Sequence, residues 1–167
     1  MKTVQFATFY LTCLLGFVPL AVTAQPYMIS SDGNEVADQK TGLIWLRCAE
    51  GMVYNGRTCT GTASTFTHET AVQYAANYAS KAGIAWRLPN IKELASIADK
   101  SRTNPAIDPA AFPATPASKF WSAPPCVSHP GIHSHSPSYW FVLFLNGFVS
   151  DDYDERNNHV RLVRDAQ

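Results

Sequence analysis

The 167-residue sequence has few cysteines, no net charge and, after residue 24, no long apolar run. Its 13 basic and 13 acidic residues cancel, so composition gives no electrostatic case for nucleic acid, an anionic membrane or a polyanionic polysaccharide as a partner. It also has no phosphate loop, no Ser-His-Asp order and no paired-carboxylate signature. We therefore expect no cofactor and favour a protein that is not an enzyme.

The long apolar run that is present lies at the start of the chain. Lys2 precedes apolar residues 6–22, and Val22-Thr23-Ala24 places small residues where a signal peptidase cleaves. We expect residues 1–24 to be a secretory signal peptide, since the run is interrupted and short for a membrane anchor. Residues 25–167 are then expected to form one domain without a membrane span, in the periplasm, outside the cell or at its surface.

Export would place the remaining cysteines in an oxidising compartment. Cys13 is expected to leave with the signal peptide. Cys48 and Cys59 bracket a polar segment with an Asn55-Gly56 turn signal, and a disulfide closing this short loop would stabilise the fold by roughly 3 kcal/mol. Cys126 is then left over, either as an unpaired loop thiol, which we favour, or in an intermolecular or mixed disulfide.

Hydrophobic periodicity predicts an α+β domain. Residues 43–47 are typical of a strand, and Thr67 caps a helix of about four turns that ends at Gly83. A second helix follows Asn90 and runs to about residue 100. Beyond a proline-rich loop the remainder is β: a strand at 119–123, a central strand at 139–145, an Asn146-Gly147 turn with a return strand, and a final strand at 159–165.

The segment WRLPNIKEL, residues 86–94, is the most distinctive motif near the second helix. Asn90 is a good N-cap, and Glu93 is placed to return a hydrogen bond to the cap amide. We expect Trp86 to be a core anchor, and the Arg87 guanidinium to brace loop carbonyls or an acidic side chain. The motif therefore indicates a structural corner rather than a catalytic one.

Several motifs occur in an order that resembles a bacterial family. They are GLIW at 42–45, WRLP at 86–89 with Glu93-Leu94, NPAID at 104–108, FWS at 120–122, YWFV at 139–142, Gly147 and VRLVR at 160–164. Over about residues 36–165 they resemble the C-terminal domain of the Legionella collagen-like adhesin, a bacterial domain of unknown function. The resemblance implies a C-type-lectin-like fold in which residues 43–47 lie beside 159–164, with two helices flanking the sheet and a long loop region.

In the adhesin, the domain is associated with attachment to sulfated polysaccharide and host surfaces. This chain has neither a collagen-like repeat nor a net positive charge, so we expect adhesin-like recognition of a glycan, envelope or host-surface ligand of its own. The expected binding face consists of loops 104–117, 123–138 and 151–158. The candidate ligand-binding residues on it are Trp121, His129, His133, His135, Asp151, Asp152 and Asp154.

The tryptophans are divided between this face and the core. Tryptophans in strands are usually buried, so we expect Trp45, Trp86 and Trp140 inside and Trp121 nearest the loop face.

Two clusters of possible metal ligands leave alternatives open. His129, His133 and His135 could supply three imidazoles to Zn²⁺ and so make a metal-dependent hydrolase, although Pro130-Gly131 excludes a helical motif. Residues 151–158 offer oxygen ligands of the kind that Ca²⁺ takes, without the spacing of an EF-hand. An exported lectin-like binding module is the favoured interpretation, and the hydrolase and an envelope structural or assembly module are the alternatives.

Overall fold

The computed structural model describes residues 26–127 and 137–166. In this part of the chain the strands are β1 (Tyr27–Ile29), β2 (Glu35–Asp38), β3 (Leu43–Leu46), β4 (Met52–Tyr54), β5 (Cys59–Gly61), β6 (Thr65–Phe66), β7 (Lys119–Val127), β8 (Ser138–Leu143), β9 (Phe148–Tyr153), β10 (Asn158–His159) and β11 (Val163–Asp165), and the helices are α1 (His68–Ala82) and α2 (Ile91–Ser96). Strands predominate and two helices accompany them, so the α+β prediction is confirmed. The expected signal peptide lies outside the described residues.

Two sheets and a small hairpin organise the domain. One sheet has the order β1-β2-β3-β11, the other has the order β6-β10-β7-β8-β9, and β4 pairs with β5. The pairing of β10 with β7 is parallel, whereas the other pairings are antiparallel. Val163 of β11 lies opposite Trp45 of β3. The end of the domain therefore lies beside its first predicted strand, as the family resemblance implied.

The final segment connects the two sheets, so the prediction of one continuous last strand is wrong. Asn158–His159 belongs to the five-stranded sheet and Val163–Asp165 to the four-stranded one. Between them the fully buried residues 160–162 pass through the interior. The backbone amides of Glu50 and Leu46 donate to Val160 and Leu162 at 3.0 Å, and these bonds hold the crossover in place.

Helix α1 begins and ends where its sequence predicts. The Thr67 side chain accepts from the Thr70 amide, and Gly83 ends the helix at a φ of 64°, a left-handed conformation that glycine adopts without strain. The small side chains of Ala71 and Ala75 let α1 pack closely on the core.

Helix α2 begins as predicted but is shorter. Asn90 accepts from the Glu93 amide while the Glu93 carboxylate accepts from the Asn90 amide, so the capping box is complete. The helix ends at Ser96 rather than near residue 100. The cause is a β-bridge of Ala98 with Ile107 in the long loop, and a hydrogen bond of 3.0 Å from the Asp99 amide to the Ala106 carbonyl.

The core consists of two clusters of buried side chains. One surrounds Trp45 and Phe120, and the other joins Trp86 and Trp121 to the alanine face of α1. The predicted disulfide between Cys48 and Cys59 is confirmed, and it closes the loop that contains β4 and the turn before β5. Among the described residues, neither helix has the length and apolarity needed to cross a membrane.

Candidate functional site

A cleft of about 570 Å³ lies between α1, the start of β2 and the β4–β5 hairpin. Its walls combine carboxylates with aromatic rings: Asp32, Glu35, Glu50, Tyr54, Tyr74, Tyr78 and Trp86. We call it the Glu50 cleft. An apolar surface with a few convergent polar groups is the usual character of a ligand pocket.

Local sequence places Glu50 in the cleft wall. It follows the disulfide residue Cys48 by two positions, and its backbone is held on both sides, by its own bond to Val160 and by the Ser64 amide, which donates to the Glu50 carbonyl at 2.7 Å. Gly51 comes next with a φ of 86°, and a Cβ atom there would lie 2.3 Å from the Ser64 hydroxyl. Because only glycine fits, the turn fixes the direction in which Glu50 points.

The Glu50 carboxylate is buried and only half satisfied. Its residue is 6% exposed. Tyr74 donates its hydroxyl to Oε2 at 2.5 Å, whereas Oε1 has no hydrogen-bond partner among the described residues. Burial raises the pKa of Glu50 above its ordinary value, although the Tyr74 hydrogen bond and the charge of Arg161 oppose the shift. A buried acceptor without a donor is rare, and it costs free energy unless something completes it.

Two tyrosines of α1 form the wall opposite Glu50. Tyr74 and Tyr78 are four residues apart and so share one helix face; their ring centroids are 6.2 Å apart, and Tyr78 is 6.4 Å from Trp86. Burial, then the neighbouring Glu50 carboxylate, raises the pKa of both hydroxyls. Both side chains are therefore neutral at physiological pH, and both line the cleft.

An ion pair closes the rim of the cleft at its β-sheet side. Arg164 Nη2 lies 2.7 Å from Glu35 Oε2, and the same guanidinium lies 5.2 Å from the ring centroid of Trp86. A guanidinium over an indole face is a favourable cation–π arrangement. Glu35 is therefore already neutralised by a cation.

Two buried arginines, which sequence reasoning did not single out, fix the segments behind the cleft. Arg47 donates to the carbonyls of Ala110 and Ala111 at 2.9 and 3.1 Å. Arg161 is fully buried and donates to the Leu46 and Arg47 carbonyls and, at 2.7 Å, to the Thr115 hydroxyl. Burial lowers the pKa of Arg161 to about 9, although Glu50 opposes the shift, so the guanidinium stays charged at neutral pH. These donors hold the long loop against the sheet.

Arg87 has the bracing role that the sequence predicted. Its two terminal nitrogens lie 2.8 and 3.0 Å from the Glu93 carboxylate oxygens, and Nη2 also lies 3.1 Å from Asp165. The partner is thus acidic, and the corner joins α2 to the last strand. Arg87 contributes to a structural junction away from Glu50.

The structure corrects the prediction for Trp121. Its side chain is fully buried, and its indole nitrogen donates to the Phe66 carbonyl at 2.8 Å. Its ring also packs edge-on against His68. A ligand cannot stack on this ring, because strand β7 directs it into the core. Trp140, which was expected inside, is instead half-buried beside Ile91 and Val149 at the surface, whereas Trp45 and Trp86 are buried as predicted.

The three acidic candidates lie along and just after β9. Asp151 pairs with Trp140 through the sheet, Asp152 forms an ion pair of 2.8 Å with Lys119, and the Asp154 carbonyl accepts from the His68 amide at 3.0 Å. In the described part of the chain, no group of three or more His, Cys, Asp or Glu side chains is arranged to hold a metal ion. His129, His133 and His135 lie outside the described residues, so the metal-dependent alternative stays a prediction.

The long loop and the acidic segment do not converge. Both ends of the loop bind Phe144, through the Ala106 amide at 2.6 Å and the Ser118 carbonyl at 2.8 Å. Asp154 instead binds Pro137 at the opposite end of β8, about 20 Å away for a strand of this length. The single loop face expected from the sequence is therefore not formed by these two segments.

The comparisons with known proteins concern the family. A sequence model of the Lcl C-terminal domain matches residues 34–164. The chain belongs to the Lcl C-terminal domain family. The matched region contains both helices and the cleft residues Glu50, Tyr74 and Tyr78. No curated protein and no solved structure matched the chain. The resemblance inferred from the ordered motifs is thus confirmed.

Sequence reasoning missed the cleft residues. One signal was available, since Tyr74 and Tyr78 share a helix face and Tyr78 belongs to its apolar stripe. Nothing in the local pattern around Glu50 indicates that it lies opposite that face, because the crossover of residues 160–162 and the turn at Gly51 bring them together.

Proposed function

We propose that this Lcl-family chain is an exported binding module that recognises a hydroxyl-rich ligand, such as a glycan, in the Glu50 cleft. The observation that carries the proposal is the cleft itself, about 570 Å³ in volume, in which the rings of Tyr74 and Tyr78 lie beside carboxylates. Aromatic walls with a few polar groups between them are typical of a ligand site. The role is adhesin-like recognition at the cell envelope, outside the cell or on a host surface.

The chemistry of the cleft suits a sugar. Sugar rings have apolar C–H faces, which pack on aromatic rings such as those of Tyr74 and Tyr78. Their hydroxyl groups donate hydrogen bonds to carboxylates and accept them from tyrosine hydroxyls. The acidic walls disfavour a sulfated polysaccharide, because like charges repel in a partly desolvated cleft.

Export and fold are part of the same proposal. The expected signal peptide at residues 1–24 and the Cys48–Cys59 disulfide both suit an oxidising compartment outside the cytoplasm. Residues 25–167 then form the mature domain. The pairing of β3 with β11 and the two helices support a C-type-lectin-like arrangement. N-terminal sequencing of the exported protein is expected to begin at Gln25.

A glycan-binding screen tests the proposal. The purified protein is applied to a broad glycan panel with and without Ca²⁺, and each positive glycan is titrated by calorimetry. Replacing Tyr78 by leucine removes one ring of the cleft and is expected to weaken binding at least tenfold. Asn77→Ala is the matched control, since Asn77 is the exposed neighbour on the same helix and does not line the cleft. An empty panel, or equal affinities for both variants at equal melting temperatures, would refute the proposal.

A further inference from the structure

Helix α1 borders a second concave surface besides the Glu50 cleft. Two adjoining cavities of about 280 and 360 Å³ share Val72 and Pro124 in their walls. Val72 is two positions from Tyr74, which is about 200° around a helix, so this surface lies on the opposite flank of α1 from the cleft. We call the two cavities together the α1 groove.

The smaller cavity of the groove is apolar. Its wall is formed by alanine and valine side chains of α1, by Leu88 and by Pro124. Arg87 is the one charged residue of this wall in the described chain, and its guanidinium is already paired with Glu93 at 2.8 Å and Asp165 at 3.1 Å. An apolar cavity of about 150 Å³ can hold a benzene ring, so this one has room for an aromatic side chain.

The larger cavity carries negative charge. Glu69 and Asp154 line it, and no lysine or arginine does so in the described part of the chain. Among the same residues neither carboxylate forms an ion pair, and Glu69 is exposed, so a ligand can reach it. His68 supplies no positive charge at neutral pH, because burial lowers its pKa, although the Ser122 carbonyl and Asp154 oppose the shift. Carboxylates in a concave surface attract cations.

The two cavities follow one another along α1. The acidic cavity contacts the helix between residues 68 and 73 and the apolar cavity between residues 72 and 76. The midpoints of these two stretches are about 5 Å apart along the helix axis. In an extended peptide, side chains two positions apart point to the same side and are separated by about 7 Å. The groove therefore fits an extended segment that presents one side chain to each cavity.

We propose that the α1 groove binds an extended peptide segment of a partner protein, with a lysine or arginine two positions from an aromatic residue. The cation lies beside Glu69 and Asp154, and the aromatic ring enters the apolar cavity against Val72 and Leu88. Charge complementarity at one end favours such a peptide over a neutral glycan, which has no cation. The inference is independent of glycan recognition, since Trp86 is the one described residue that lines both the groove and the Glu50 cleft.

Fluorescein-labelled peptides test the proposal by fluorescence anisotropy at pH 7. The probes are SGKSFGS and SGFSKGS, which present the two side chains in both orders, and the controls carry glutamate for the lysine or alanine for the phenylalanine. We expect one order to bind the unaltered protein at least tenfold more tightly than either of its controls. These comparisons need no protein variant, so a folding defect cannot obscure them. No binding of either order at up to about 1 mM, or equal binding of a control, overturns the proposal.

Two pairs of variants locate the peptide. Glu69→Lys reverses the charge of the acidic cavity and is expected to weaken binding at least tenfold, whereas Glu155→Lys makes the same change at an exposed position outside the groove and is expected to keep it. Ala76→Gln obstructs the apolar cavity and is expected to weaken binding to a similar extent, whereas Asn77→Gln alters its exposed neighbour and is not. Binding that survives both Glu69→Lys and Ala76→Gln at unchanged melting temperatures places the peptide elsewhere and overturns the inference.

The same variants identify any other occupant. If Ala76→Gln lost glycan binding at an unchanged melting temperature, the groove would take a glycan. If the protein formed a dimer in sedimentation experiments and Ala76→Gln dissociated it, the groove would take a second copy of this chain. Either result overturns the peptide proposal.

Discussion

Two regions of this domain each combine an aromatic ring, a carboxylate and an arginine. They differ in how completely the carboxylate is hydrogen-bonded. In the corner of residues 86–94, both oxygens of Glu93 accept from Arg87, and one also accepts from the Asn90 amide. In the cleft, Glu50 has one oxygen bound by Tyr74 and one without a hydrogen-bond partner in the described part of the chain. Glu50 is nevertheless the more deeply buried acid, with its residue 6% exposed against 17% for the Glu93 side chain.

This difference in hydrogen bonding distinguishes an acid that stabilises the fold from one that is a candidate for recognition. An acid whose acceptors are all used stabilises its surroundings, as Glu93 does by capping α2. An acid that is buried and half satisfied lowers stability, and such features persist mainly where function requires them. The corner is therefore interpreted as structure and the cleft as the candidate recognition site.

The largest expected effect comes from Arg161, the cation behind the cleft. Arg161→Leu leaves two backbone carbonyls and Thr115 without their buried donor, and we expect the free energy of unfolding to fall by about 3–5 kcal/mol. Urea denaturation at pH 7 measures this loss. Arg156→Leu is the control, because Arg156 is exposed and its replacement should change stability by less than about 0.5 kcal/mol. Equal unfolding midpoints would show that the loop is held by something other than Arg161.

The disulfide comes next and tests whether the cleft wall is held covalently. Replacing both Cys48 and Cys59 by serine removes a crosslink with a sequence separation of 11, and the chain-entropy model gives a loss of about 3 kcal/mol. Thermal unfolding of this variant should match that of the unaltered protein in reductant. Cys126→Ser is the comparison, and we expect its melting temperature to stay unchanged. If the double variant kept full stability, the wall around Glu50 would be set by hydrogen bonds alone.

Much of the fold could be predicted because its signals are local. The Thr67 cap, the Gly83 end, the Asn90–Glu93 box and the disulfide each depend on residues close in the sequence. Strands of two to four residues, such as β1, β2 and β4 to β6, were missed because they are too short to show a period. The break between β10 and β11 was missed because an apolar run looks the same whether it stays in one sheet or crosses between two.

The candidate site could not be predicted for a different reason. Glu50 and Tyr78 are distant in the chain, and their proximity depends on packing that no short pattern encodes. Trp121 shows the converse error, since strand alternation alone does not tell which face of β7 is covered. The sequence therefore directed attention to the loops, whereas the fold places the Glu50 carboxylate between the Gly51 turn and helix α1.

A smaller effect is expected in the corner. Arg87→Ala should lower the free energy of unfolding by about 1 kcal/mol or less, since its side chain is 38% exposed and solvent weakens the ion pair. Glu93→Ala should lower the free energy of unfolding by about 1–2 kcal/mol, because the helix cap is lost as well as the ion pair. The loss for Glu93→Gln should lie between those of Arg87→Ala and Glu93→Ala, since glutamine also completes a capping box. Melting temperatures and glycan titrations are measured together. If Arg87→Ala kept its stability but lost glycan binding, Arg87 would have a role in recognition rather than in the structure.

The smallest expected effect is a gain in stability, from Glu50→Gln. It tests most directly whether Glu50 differs from Glu93. Burial raises the pKa of Glu50 above its ordinary value of 4.5. The folded protein therefore holds the Glu50 proton more tightly than the unfolded chain does. Stability falls as pH rises from about 4.5 through the folded pKa, and the full loss remains at higher pH. Glutamine cannot ionise, so Glu50→Gln should gain about 0.5–1 kcal/mol of stability near pH 8, with little difference near pH 4.

Urea unfolding of both proteins between pH 4 and pH 8 measures this gain, with Glu155→Gln as the exposed control. Tyr74 keeps an acceptor in the glutamine variant, so its hydrogen bond does not confuse the comparison. Arg161 loses its favourable interaction with Glu50, but the raised pKa already includes that opposing contribution. If Glu50→Gln were more stable but bound glycan less tightly, the Glu50 carboxylate would serve binding at the expense of stability. If Glu50→Gln instead lowered stability at pH 8, Glu50 would be an acid that stabilises the fold, as Glu93 does, and the cleft would be a structural feature.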